Sequence, residues 1–241
     1  MEFSNELRKK LKELNRRRKI ILFRNVLLTY IVLAVIFISS FFIPIIDNYS
    51  FQILFAGIVF CLFINWIIDS FDNSRKKYYH DLKTTIVPYF IEKQTKNFVY
   101  EPKKYIHPTD YLKSGFGKER FHKTDGHDLI KVIEDNYLVM VSFFTTYILD
   151  YKSHRGGARQ HTTALFKGLF MAYYSENIKK SSIDHDLFPW QKMKIEDKLY
   201  LRYEYSKRFC EPSLFENPLK SSTHMQTEEI IKLIFEVIRK I

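Results

Sequence analysis

The densest run of side chains able to do chemistry is His122-Lys123-Thr124-Asp125-Gly126-His127-Asp128. Two imidazoles and two carboxylates are donor types that bind a zinc-like cation. A closed site, however, takes four ligands and usually draws on a second, distant pair. No second cluster is visible, and Lys123 and Gly126 suit a solvated turn better. Asp184-His185-Asp186 is a smaller triplet of the same kind in a polar connector, and it reads as loop. No metal site and no cofactor is assigned.

Lys152, Arg155 and Arg159 surround Gly156-Gly157 and offer a different chemistry. Guanidinium forks and free loop amides can hold a small anionic group. A merely solvated hairpin tip is the competing reading, and the simpler one. Catalytic motifs are missing. With seven glycines the chain has neither a phosphate-binding G-x-x-x-x-G-K-[ST] loop nor a dinucleotide G-x-G-x-x-G turn. There is no G-x-S-x-G nucleophile elbow either. No catalytic residue is assigned, and a non-enzymatic chain is expected. Cys61 and Cys210 are too few for a disulfide framework or a cysteine-rich zinc site and read as small buried hydrophobes.

The elements that position these groups follow from composition. The chain has 241 residues, 46% hydrophobic and 27% charged, with a net charge of +11. No charge occurs from Asn25 to Ile46 or from Asn48 to Ile68. Each run matches the ~20 residues that a membrane-crossing helix needs. No small-residue cleavage site follows the first run, so a removable signal peptide is disfavoured. Pro44 and Asp47-Asn48-Tyr49-Ser50 read as a tight turn between two spans. Lys and Arg flank both runs and are missing from the turn, so both termini are expected in the cytoplasm.

The charge distribution argues against nucleic acid as a partner. Residues 1–24 carry nine Lys/Arg against three Glu, and residues 73–104 carry eight against three acids. Everything from residue 105 onward adds only +3. Cations beside apolar runs suit a bilayer with anionic inner-leaflet lipids, each worth ~1 kcal/mol at most.

Periodicity supplies the rest. Leu7, Leu11 and Leu14 predict a basic amphipathic helix over residues 1–24, capped by Ser4. Residues 69–98 read as helix interrupted at Pro88. Residues 97–102, 128–134, 137–150, 162–174 and 199–205 read as strands, the last with one solvated face. Residues 151–160 read as a polar loop, and residues 228–241 as a closing amphipathic helix capped by Thr227. The expected fold class is α+β: an N-terminal two-helix transmembrane hairpin (residues 25–72, spans 25–46 and 51–68), then a cytoplasmic domain (73–241) with a mainly antiparallel sheet and flanking helices. Gly168, inside Phe166-Lys167-Gly168-Leu169-Phe170, marks a bulge or the close approach of a second backbone or ligand. Packing against the juxtamembrane helix is the favoured version.

Several short motifs resemble the bacterial family catalogued as domain of unknown function 3137. They are Lys83-Thr84-Thr85-Ile86-Val87, Tyr100-Glu101-Pro102, Phe166-Lys167-Gly168-Leu169-Phe170 and Lys194-Ile195-Glu196-Asp197. Lys131-Val132 after Asp128-Leu129-Ile130 departs from the glycine common there. The resemblance implies a fold and an anchor in the bacterial inner (plasma) membrane. It implies no activity, since the family has none assigned. The functional expectation is a membrane-anchored, non-enzymatic interaction or self-association module, with a protein or a further copy as partner. The alternative is a sensor whose domain binds a small anionic ligand and alters the packing of the hairpin.

Overall fold

The computed structural model describes residues 3–42, 73–116, 121–134, 136–154, 157–175, 190–205, 214 and 216–241. The chain divides into two compact units, Met1–Thr85 with Glu211–His224, and Ile86–Cys210 with Met225–Ile241.

In the first unit, α1 (Asn5–Phe42) opens on Ser4, whose hydroxyl accepts from the Leu7 amide at 3.3 Å. The leucine stripe then buries Leu7, Leu11, Leu14 and Ile21. Tyr78 and Leu82 of α2 (Ser74–Glu92) are buried in the same unit. Arg17 joins the two helices, reaching Asp81 at 3.0 Å and Glu13 at 2.6 Å. Arg18 donates to the Leu214 carbonyl at 3.2 Å. α2 runs through Pro88 to Glu92 without ending there.

The second unit is built on a six-stranded antiparallel sheet of order β1-β2-β3-β4-β6-β5. Its strands are β1 (Phe98–Glu101), β2 (Lys123–Glu134), β3 (Tyr137–His154), β4 (Gly157–Ser175), β5 (Gln191–Ile195) and β6 (Lys198–Glu204). One face is aromatic. Phe144, Phe166, Phe170 and Tyr200 close over Tyr111 of the short helix α3 (Pro108–Lys113). Tyr111 stacks on Phe144 with centroids 4.9 Å apart and meets Phe170 edge-on at 5.1 Å. The other face is aliphatic: Val141, Met171 and Leu201 lie side by side across three strands, all buried. α4 (Met225–Lys240) buries Ile230, Ile231, Ile234, Phe235, Val237 and Ile238, and residues 86–91 bury a second apolar set. These are the stripes that cover a sheet buried on both sides.

Four expectations need correction. The transmembrane hairpin is not found: among the described residues no helix is long and apolar enough to cross a membrane. The basic segment runs on into the first uncharged run as one continuous α1. Leu7, Leu11 and Leu14 of its basic half pack inside protein rather than along a lipid interface, whereas Leu27 and Leu33 further along the helix are exposed. The membrane and two-pass assignments are therefore withdrawn; residues 43–72, with the second span, lie outside the described residues. The fold class is a six-stranded antiparallel sheet with flanking helices. Next, residues 123–128 are not a turn but the first half of β2. The polar loop at 151–160 is strand as far as His154 and again from Gly157. Finally, β6 has no solvated face along Leu199-Tyr200-Leu201: all three are buried, Tyr200 in the aromatic cluster with Tyr111. Period-two alternation reports two chemistries here, aliphatic and aromatic, and both are buried.

Candidate functional site

The site sits at a bulge in β2. His127 pairs with Phe143 and Ile130 with Val141, so Asp128 and Leu129 together oppose Ser142 alone. Asp128 takes up the extra residue with a left-handed backbone, φ 60°, a conformation that Asp and Asn tolerate better than most residues. The bulge amides are satisfied by the chain beyond β1: Asp128 donates to the Pro102 carbonyl at 3.1 Å and Leu129 to that of Lys104 at 3.0 Å. Across the bulge, the Ser142 hydroxyl accepts from the Ile106 amide at 3.1 Å.

Such a bulge re-aims side chains. Here it places two consecutive residues together. The Asp128 carboxylate is fully buried; Oδ1 accepts from the Tyr100 hydroxyl at 2.5 Å, and Oδ2 faces His127 Nδ1. Facing a carboxylate, Nδ1 carries the proton and donates. The His127 ring is 44% exposed and lies flat on Phe143, centroids 5.4 Å apart and planes 9° from parallel. Tyr205 packs edge-on to the far side of this row at 5.6 Å from Phe143, and burial raises its hydroxyl above the usual pKa. Beside Tyr100, Glu101 is bonded to Lys104 at 2.5 Å and Lys131 at 3.0 Å, which holds its carboxyl below the usual range.

Gly126 lets this happen. A Cβ there would lie 2.6 Å from both the Phe143 carbonyl oxygen and Tyr105 Cγ. The segment carrying Tyr105 and Ile106 crosses the strand at this point.

The other residues singled out in the sequence separate. Phe166 and Phe170 are buried on the aromatic face. Gly168, between them, meets a second backbone: a Cβ would come within 2.0 Å of the Tyr203 carbonyl oxygen. The neighbour is β6 and not the basic helix preceding the sheet. Lys152 and Arg159 are register partners on opposite strands of the β3–β4 hairpin. Arg155, with Gly156, lies outside the described residues, as do Asp184-His185-Asp186 and both cysteines. His122 and Asp125 are used locally, His122 Nδ1 accepting from the Leu149 amide at 3.2 Å and Asp125 from the Gly126 amide at 2.8 Å. Among the described residues, no group of three or more His, Cys, Asp or Glu could hold a metal ion. Tyr100 went unrecognised because it lies 28 residues from its partner, and nothing local in the sequence marks it.

No family model, curated protein or solved structure matches the chain.

Proposed function

We propose that the chain is a non-enzymatic interaction module, engaging a partner protein or a further copy of itself through the distal end of the β3–β4 hairpin. The observation that carries this reading is the register. β2 begins at Lys123, opposite Tyr147, and β6 ends at Glu204, opposite Gly168. The hairpin continues from Ile148↔Thr163 to His154↔Gly157, seven residue pairs further. That is ~24 Å of two-stranded ribbon at ~3.4 Å per residue. Among the described residues no strand flanks it. A two-stranded ribbon is marginal alone, and unpaired strand edges are templates for strand addition.

A second reading rests on one pair. Lys152 and Arg159, both cationic residue types, are register partners, and like charges at opposed positions of a sheet are destabilising. A small anionic ligand at the ribbon would offset this.

Replacing Tyr151–Gln160 by Asn-Gly tests the reading. Asp150 and His161 are already register partners, so a two-residue turn closes the shortened hairpin. Light scattering and sedimentation of the full chain should show self-association, or capture of a partner, lost in the variant. Equal behaviour of variant and parent would refute the ribbon as the interaction surface. Arg159→Glu separates the readings, since it abolishes anion binding while leaving main-chain pairing in place.

A further inference from the structure

We propose that His127 is a nucleophilic imidazole, a modification site whose Nε2 accepts a phosphoryl group. The proposal is independent of the ribbon and rests on the bulge. Three features converge on one side chain. Nδ1 is occupied by the Asp128 carboxylate, which the Tyr100 hydroxyl fixes from the other side. This leaves Nε2 as the nitrogen with a lone pair, and among the described residues it meets no hydrogen-bond partner. The ring plane is held flat on Phe143, while 44% of the side chain remains open to solvent. A half-open imidazole oriented by a fully buried carboxylate is the arrangement in which an adjacent acceptor supports a nucleophile or base.

Four other described histidines differ. His224 is buried and its Nε2 is bound to the Pro218 carbonyl at 2.8 Å. His107 caps α3 through Nδ1, His122 Nδ1 accepts a backbone amide, and His161 Nδ1 meets the Thr163 hydroxyl. None of these three is oriented by a carboxylate in those contacts.

The backbone strengthens the argument. Asp128 is a non-glycine residue in the left-handed region, and only two such residues occur among those described. Backbone strain of this kind persists where surrounding structure over-determines it. Here it brings consecutive side chains onto one another, which a regular strand would send to opposite faces.

The chemistry favours phosphoryl over acyl transfer. As Nε2 attacks phosphorus, the bond from phosphorus to the leaving group breaks and its electron pair departs with that group. The ring becomes positive, with its Nδ1–H still shared with the Asp128 carboxylate, so the new charge forms against a fixed opposite one. A phosphoryl group leaves the distal ring nitrogen basic enough to keep that proton. An acyl group withdraws electrons and weakens the same bond.

Potassium phosphoramidate is the probe: ammonia leaves, and the product is an acid-labile phosphohistidine. The full chain is treated at mildly alkaline pH, and labelled positions are read by tandem mass spectrometry and phosphorus NMR. His127 should be labelled first, on Nε2 alone, ahead of exposed His107, His122 and His161 as internal controls. Asp128→Asn, which tolerates the same backbone, should slow His127 labelling roughly tenfold or more and leave the controls unchanged. A merely structural role would not move regiochemistry or this ratio. Labelling of His127 no faster than His161, label on its Nδ1, or an unchanged rate in a folded Asp128→Asn variant would overturn the proposal. Should that variant not fold, the regiochemistry and relative rate in the parent chain decide alone.

Discussion

At the scale of single residues, two glycines and one histidine carry the sharpest consequences. Gly168 is closed to any side chain by the β6 backbone. Gly168→Ala must move that strand, and overpacking of this kind costs ~1–3 kcal/mol. In a chain of this size each kcal/mol lowers Tm by ~2–4 °C. Lys167→Ala, at an exposed neighbour, should stay within ~0.5 kcal/mol. Calorimetry on the two variants checks the pair; equal melting would place Gly168 in open space. His224 sets a pH dependence. Its Nε2–H donates to Pro218, its Nδ1 is buried without a partner among the described residues, and burial holds its pKa below the ordinary 6.5. The unfolded chain therefore binds a proton more readily than the folded one. The stabilising contribution is complete above about pH 6.5 and is lost as the pH falls below it. His224→Gln keeps a donor for Pro218 and cannot charge. Its melting temperature should fall less than the parent's between pH 7 and pH 5; parallel curves would remove His224 as the cause. The sequence displays Gly168 as an anomaly, because glycine inside an apolar strand asks for an explanation. It does not show what approaches, since that is set by a strand more than thirty residues on.

At the scale of elements, the strands and the closing helix are legible because burial imposes a period. α4 shows its apolar face at helical spacing, and β3 and β4 are runs of β-branched and aromatic residues. Three kinds of feature are not legible. Residues 123–128 are polar yet stranded, because β3 supplies the partner and Gly126 admits a crossing segment. Lys152–His154 and Gly157–Gln160 read as loop by composition, but hairpin register extends the ladder through them. α3 is six residues long and too short for periodicity to register. The Tyr151–Gln160 replacement belongs at this scale as well. It removes only the part of the hairpin that pairs with neither β2 nor β6, so the shortened chain should melt close to the parent. A large drop would mean that the ribbon supports the sheet.

At the scale of the whole molecule, apolar runs and flanking charge predict a membrane hairpin. The described part of the chain shows instead a long α1 whose Leu7, Leu11 and Leu14 are buried in protein, and a sheet with buried side chains on both faces. Composition measures how much apolar surface must be hidden; it does not say which partner hides it. The candidate site was half visible in the same way. His127 and Asp128 stand out as chemistry, whereas their contact depends on an extra residue in one strand and a phenol from another. The order of the sheet reaches into time as well as space. Four of its five pairings join strands consecutive in the chain, and only β4 with β6 skips one. The hairpin pairings β2–β3, β3–β4 and β5–β6 close short loops and form quickly, whereas β1–β2 and β4–β6 wait on longer closures. The β2–β4 meander and the β5–β6 hairpin can thus each assemble before they meet. In refolding followed by pulsed deuterium labelling, amides shared between β3 and β4 should become protected ahead of the Tyr205 amide, which donates to Lys167. Simultaneous protection would instead make the seam between β4 and β6 part of the nucleus. If the seam closes last, Gly168, which lies on it, governs how fast the folded sheet comes apart more than how fast it forms.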